Sequence, residues 1–281
     1  MSVFEAAPGK APHAKGQPMS ARIGLRAIYD SGWFTMVPAT VGVIALWYFT
    51  TNVLKVPSYL IPGPASVITS FRENWPSLAQ ESIATLREII GGFIISVATA
   101  VPLALLIIYS PTFERFMNPL IVVSQAVPKV AVAPLFLVWF GFGEFPKMLI
   151  AALIAFFPML ISVTVGLKGL DPDMLDLARS MGAPGYRVFW KVRLPCALPN
   201  VFAGFKLAIT FSVIGAVVGE FVGGDHGIGY LIQLASGAQR SDLLFAGLIV
   251  LSVMGLALFY LVEAFERKFV FWHHSQITPT A

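Results

Sequence analysis

Apolar residues in this chain gather into long unbroken runs and do not alternate with polar ones at the two-residue period of a half-buried strand. A membrane-crossing helix needs about 20 such residues, because about 30 Å of hydrocarbon is covered at about 1.5 Å per residue. Ser31–Leu54, Ile89–Phe113 and Leu243–Val262 reach that length without a charged residue or a histidine, and Met148–Leu167 is a fourth such run. Phe116–Gly143 and Leu194–Gly219 qualify when one lysine is tolerated in each, Lys129 and Lys206. The pattern predicts an all-α integral membrane protein with six transmembrane helices, near residues 31–54, 89–113, 116–143, 148–167, 196–220 and 243–262.

Between and beyond these runs the sequence changes character. Residues 1–30, rich in Pro, Ala, Gly and Lys, read as a flexible tail, and the run after them as an uncleaved anchor. The transmembrane domain then covers residues 31–272, with a short polar tail at 273–281. Residues 55–88 read as a linker outside the membrane. Pro57, Pro62, Gly63 and Pro64 mark turns in it, and Ala65–Trp75 suits a short surface helix.

Composition supports a bilayer as the solvent. Hydrophobic residues make up 57% of the 281 and charged residues 12%, about half the usual charged share of a soluble domain. Such a chain is neither disordered nor a disulfide scaffold, since its one cysteine, Cys196, has no intrachain partner. A net charge of +4, scattered along the chain, gives no footprint for nucleic acid. Placing the N-terminus in the cytoplasm puts 12 Lys and Arg residues inside and 5 outside (Lys55, Arg72, Arg87, Lys147 and Arg240), the bias that orients such proteins.

The loop between the fourth and fifth spans, residues 168–195, is strongly punctuated for a helix. Asp171 suits the N-cap, Pro172 the first helical position, and Asp173 and Asp176 the positive end of the helix dipole. Gly182 suits a left-handed stop, with Pro184 beyond it. The spacing predicts a short helix over Pro172–Met181 and a second helical piece from Gly185 to Arg193 that ends near Pro195. A ten-residue helix is marginal alone in water, so Met174, Leu175, Leu177, Ala178 and Met181 need a surface to cover. That surface is a groove in a partner or, in the plainer alternative, the lipid headgroups.

This loop resembles the EAA motif of permease subunits in binding-protein-dependent ABC importers. The pattern is Glu-Ala-Ala, three residues, Gly, nine residues, Ile, one residue, Leu-Pro; here it falls on Asp176, Leu177, Ala178, Gly182, Val192, Leu194 and Pro195 with every spacing kept. Val127–Ala131, Pro134–Gly143, Gly219–Gly223 and Gly227–Ile232 are further similar to permeases of the nitrate, sulfonate and taurine type. The resemblance implies a type I, MetI-like importer fold in a bacterial cytoplasmic membrane; the positive charge bias, with six spans, puts both termini in the cytoplasm. It implies a pair of permease subunits, two copies of this chain if the dimer is homomeric, and an extracytoplasmic solute-binding protein. It also implies a cytoplasmic ATPase dimer, contacted through a coupling helix carrying Asp173, Asp176, Leu177, Ala178, Met181 and Gly182 and closed by Leu194 and Pro195.

No Gly-x-x-x-x-Gly-Lys-Ser/Thr phosphate cradle occurs in the chain, so ATP and Mg2+ are expected to belong to the partner ATPase and no cofactor to this subunit. The glycine-rich Gly223–Gly229 reads as an external loop after a span. No catalytic constellation is recognisable. His273 and His274 alone make a weak metal pair and read as a polar tail.

Polar groups at membrane depth are the candidates for a pathway. Lys129, between Pro128 and Pro134, suits either a cation lining the route of an anionic solute or a lysine that snorkels or pairs with Glu220. Gln125, Thr210, Ser212 and Glu220 are further pathway candidates, with Ser162 and Thr164 behind them; Lys206 is expected to snorkel. The expected function is inward transport of a small anionic solute. The alternatives are a thiamine-precursor pyrimidine or another small organic acid in the same class of transporter, an ATP-independent secondary transporter, or a membrane-embedded enzyme.

Overall fold

The computed structural model describes residues 33–54 and 56–273, and among them every regular element is helical. The tail at 1–30 and most of the one at 273–281 lie outside the described residues. Helix α1, Trp33–Asn52, occupies the place of the first expected span and stands in its own unit of the chain, Met1–Val56.

The second unit, Pro57–Ala281, holds the rest: α2 (Pro64–Glu73), α3 (Trp75–Tyr109), α4 (Pro111–Ala126), α5 (Ala133–Phe140), α6 (Glu144–Lys168), α7 (Pro172–Ser180), α8 (Gly185–Gly223), α9 (Ile228–Gly237) and α10 (Ser241–Phe269). Among the described residues α3, α6, α8 and α10 are each long and apolar enough to cross a membrane.

The expected third span, 116–143, is a bent pair. α4 and the segment from Lys129 to Phe140 meet at 88°. Val127, held extended by the proline after it, cannot continue α4; Pro128 then leads into a 3₁₀ turn at Lys129–Val132 before α5 begins.

α3 also differs from expectation. Its charged residues set the predicted boundary at Ile89, yet the helix begins 14 residues earlier, at Trp75. Thr85 and Glu88, polar positions in that added stretch, are turned into the protein and fully buried.

The second helical piece of the loop at 168–195 does not end near Pro195. Leu194 N–H bonds to the Phe189 carbonyl, five residues back, and this π turn over Phe189–Arg193 carries the helix past the missing donor of Pro195.

α6 is the central helix, packed against α3 on one side and α8 on the other. The contact is close because small residues face each other. Ala151 is fully buried, and a side chain at either Gly92 of α3 or Gly215 of α8 would collide with it. Between spans in lipid, close van der Waals packing of this kind replaces the hydrophobic drive that water supplies. Ala100, Ala104, Ala155, Met159, Leu160, Val163, Ala197 and Val201 extend the same core toward α7.

Candidate functional site

Two polar assemblies stand at opposite ends of the three packed helices. From Glu88 to Tyr109 the rise along α3 is about 32 Å, the thickness of a bilayer core.

At the Tyr109 end lies α7. The Asp171 side chain accepts the Asp173 N–H at 3.0 Å, while the Asp171 carbonyl accepts from Met174 and Leu175, so the helix starts where the sequence places it. It stops after Ser180 because Gly182 turns left-handed, φ +71°, and Ala183 N–H reaches back to the Ala178 carbonyl at 3.1 Å. Leu175 and Ala178 are half-buried. Leu175 helps line a recess of about 240 Å³ with Tyr109, Val188, Phe189 and Arg193. Met174, Leu177 and Met181, spaced three and four residues apart, leave an apolar stripe on the outer face, with Leu177 64% and Met181 79% exposed. Asp173 and Asp176 are exposed beside them, and Leu194 and Pro195 are half-buried in the first turn after the π turn. The end is braced by an ion pair between Lys168, at the end of α6, and Glu114, in the first turn of α4.

At the other end is a charge cluster that sequence reasoning missed. Lys147, expected in an external loop, lies in the first turns of α6 with no solvent exposure. Its Nζ is 3.0 Å from Glu88 Oε1 and 3.6 Å from Asp225 Oδ1, and it donates to the His226 carbonyl at 3.2 Å. Glu220, at the end of α8, is also fully buried, with the Thr85 hydroxyl donating to its Oε1 at 2.6 Å and Gly229 N–H donating to its Oε2. His226 sits beside Asp225, its Nε2 3.9 Å from both Glu88 and Glu144. The available signal was the spacing of Glu81, Thr85 and Glu88, at i, i+4 and i+7 along one helix face immediately before an apolar run.

The other candidates are dispersed. Lys129 stands in the turn between α4 and α5, its Nζ 5.3 Å from the centre of the Phe157 ring. The alternative that pairs it with Glu220 is not what the structure shows, because the 88° break holds Lys129 against α6 while Glu220 is engaged by Thr85 and Gly229. Gln125 is exposed on α4. Thr210 donates to the Lys206 carbonyl of its own helix at 2.8 Å, and Ser162 donates across to the Asn200 carbonyl at 2.8 Å. Ser212 is fully buried, and its hydroxyl has no hydrogen-bond partner. Lys206 pairs with Glu266 of α10 at 2.7 Å and does not simply snorkel. Among the described residues no three His, Cys, Asp or Glu side chains are grouped to hold a metal ion.

A helix projecting from one end of a packed set of spans is the arrangement that the EAA-like loop led one to expect. Residues 92–271 match the family model described as binding-protein-dependent transport system inner membrane component. The chain belongs to that family. This permease is 31% identical to a putative aliphatic sulfonates transport permease of Bacillus subtilis, over 87% of this chain and 89% of the relative. It is 34% identical to the riboflavin transport system permease of Chloroflexus aurantiacus, over 83% and 88% respectively. Its fold is similar to a chain of the MetNI methionine ABC transporter in an inward-facing conformation, with TM-score 0.58 and 17% identity, over 69% of this permease and 96% of that chain. The molecule is therefore a multi-pass membrane subunit of an ABC importer, with the MetI-like fold. Permeases of this kind work together with an ATPase and a solute-binding protein.

Proposed function

We propose that this permease couples to its ATPase through α7 and carries a small anionic solute, of the sulfonate and taurine type, into the cell. The observation that carries the coupling is the apolar stripe of Met174, Leu177 and Met181 on a short helix with a capped start and a glycine stop. A rigid helix of nine residues, about 13 Å long, transmits a displacement of its seat as a whole. The half-buried side of α7 against Phe189 and Tyr109 passes that displacement to α8 and α3. ATP and Mg2+ act in the partner, and this chain contributes motion and a route.

In this reading α1 is the first of six spans, the bent pair of α4 and α5 is the third, and both termini are cytoplasmic. Two copies of the chain form the route. Lys129 supplies it with positive charge at the break between α4 and α5, where the α-helix is interrupted inside an apolar region. Gln125 and Thr210 are the remaining polar positions along it, while Ser212 is fully buried within the packed helices and the ends of Glu220 are taken up elsewhere.

The anionic assignment follows Lys129 and the sulfonate relative. Similar identity to a riboflavin permease means that the solute is decided by measurement on the partner binding protein. The test of coupling is cross-linking. With Cys196 replaced by Ser, cysteines at Leu177 and Met181 are expected to cross-link to the ATPase in a complex that hydrolyses ATP. Failure of both in such a complex overturns the reading. Calorimetry of the binding protein with taurine, an alkanesulfonate, riboflavin and a formylaminopyrimidine then decides the solute class.

A further inference from the structure

The first N–H groups of a helix have no partner within it, and the usual remedy is a side chain just before the helix. α9 has no such remedy, because its N-cap is Gly227, at φ +111°. Its N–H groups go instead to other helices. Gly227 donates to Glu81 Oε2 and Ile228 to Thr85 Oγ1 at 2.8 Å, both on α3, and Gly229 donates to Glu220 Oε2 on α8. One residue earlier, the His226 carbonyl accepts from Lys147 of α6 at 3.2 Å. Four consecutive residues, His226 to Gly229, are thus tied by their backbone to three spanning helices. Surface loops are ordinarily solvated by water.

The chemistry suits the join. The positive end of the α9 dipole faces the half-buried Glu81 and the buried Glu220, and Lys147 faces the buried Glu88, so each of these carboxylates has a compensating group. The backbone comes this close because a Cβ at either Gly227 or Gly229 would strike the Glu220 carboxylate. The two glycine-containing segments that read as separate features in the sequence, Gly219-Glu220 and Gly227-Ile228-Gly229, are two halves of one joint.

We infer that Glu220 is a positioning residue for transport: with Thr85 and Glu81 it clamps the N-terminus of α9, so that α9 seals this end of the chain and moves with α3 and α8. The inference rests on the proposed orientation, in which this end faces outward.

The test uses impermeant maleimide labelling of the assembled complex in cells, in a Cys196→Ser background. Gln233→Cys lies on the exposed face of α9 and Ala235→Cys on the buried face. Labelling at 233 in intact cells supports the orientation; labelling there only after permeabilisation overturns the orientation and leaves the joint to the 235 reporter in permeabilised cells. Glu220→Ala, which leaves Gly229 without its acceptor and Thr85 with the Glu81 carbonyl alone, is expected to raise labelling at 235 about tenfold and to lower ATP hydrolysis by the complex about tenfold. Glu220→Gln keeps an acceptor for Gly229 and is expected to preserve both. Protection at 235 unchanged in Glu220→Ala overturns the clamp, and hydrolysis unchanged with α9 released overturns the positioning role. Should Glu220→Ala fail to accumulate, Thr85→Val removes only the shared hydroxyl. Increased labelling at 235 in that variant supports the clamp, and wild-type protection overturns it.

Discussion

Lys147 Nζ lies 3.0 Å from Glu88 Oε1, and neither side chain has any exposure to solvent. The pair joins α6 to α3 at the end of the spans, and each member stands immediately before an apolar run, Met148–Leu167 for Lys147 and Ile89–Phe113 for Glu88. Replacing Lys147 by Met leaves Glu88 buried without its counter-charge, a change that costs about 3–5 kcal/mol in comparable buried pairs. The double variant Lys147→Met, Glu88→Gln removes both charges and is expected to recover most of the loss. Thermal unfolding of the detergent-solubilised protein measures both, and a double variant as unstable as the single one argues against the pairing.

Gly182 is left-handed, and no atom lies within 4 Å of where its Cβ would be. Any penalty of substitution is therefore conformational. Gly182→Ala is expected to strain the stop by about 1–2 kcal/mol and to weaken coupling, and β-branched Gly182→Val to abolish co-purification of the ATPase. Both variants are expected to insert into the membrane normally. Immunoblots of membranes and pull-down of the ATPase separate the two effects, and normal pull-down with Val at 182 contradicts the role of the turn.

Lys206 and Glu266 tie α8 to α10 at 2.7 Å with both side chains about one-fifth exposed. Glu266→Lys places two like charges together and is expected to reduce the yield of folded protein, whereas Lys206→Glu combined with Glu266→Lys restores attraction. Size-exclusion profiles in detergent check the order: the swapped pair should elute like the parent and the single variant should not.

Ala151 is confined between Gly92 and Gly215. Ala151→Leu has nowhere to place three added carbons without separating α6 from α3 or α8, an overpacking cost of about 1–3 kcal/mol. Proteolysis of solubilised protein should speed up accordingly. Ala151→Gly, by contrast, is expected to leave the cleavage rate within a few-fold.

Lys129→Met removes the charge at the α4–α5 break while keeping most of the side chain's volume. If this residue lines the route of an anion, uptake of labelled taurine by a strain relying on this transporter should fall while uptake by Lys129→Arg persists. Equal uptake by Met and Arg variants would take Lys129 out of the pathway.

Much of this was legible because it is local. Asp171, Pro172 and Gly182 act on their own turns, so α7 was placed to within a residue of its end. The apolar runs marked α6 and α10 for the same reason, since helix length follows directly from hydropathy. Boundaries were legible only where charge marks the edge of the bilayer. In α3 it does not, because Thr85 and Glu88 are polar residues facing protein. The bend at Val127-Pro128 was visible as prolines, yet its 88° angle depends on how α5 packs against α6.

By itself the sequence determined that the chain is a bundle of membrane-spanning helices and that one short loop helix projects from it, since both depend on residue type and spacing alone. Only the tertiary structure decided which charges are inside. Thr85, Glu88, Lys147, Glu220 and Gly229 come from three spans and the short helix α9, and Thr85 is 135 positions from Glu220. Burying such groups is costly unless each meets a partner, and whether it does is fixed by helix packing at a distance no local pattern records.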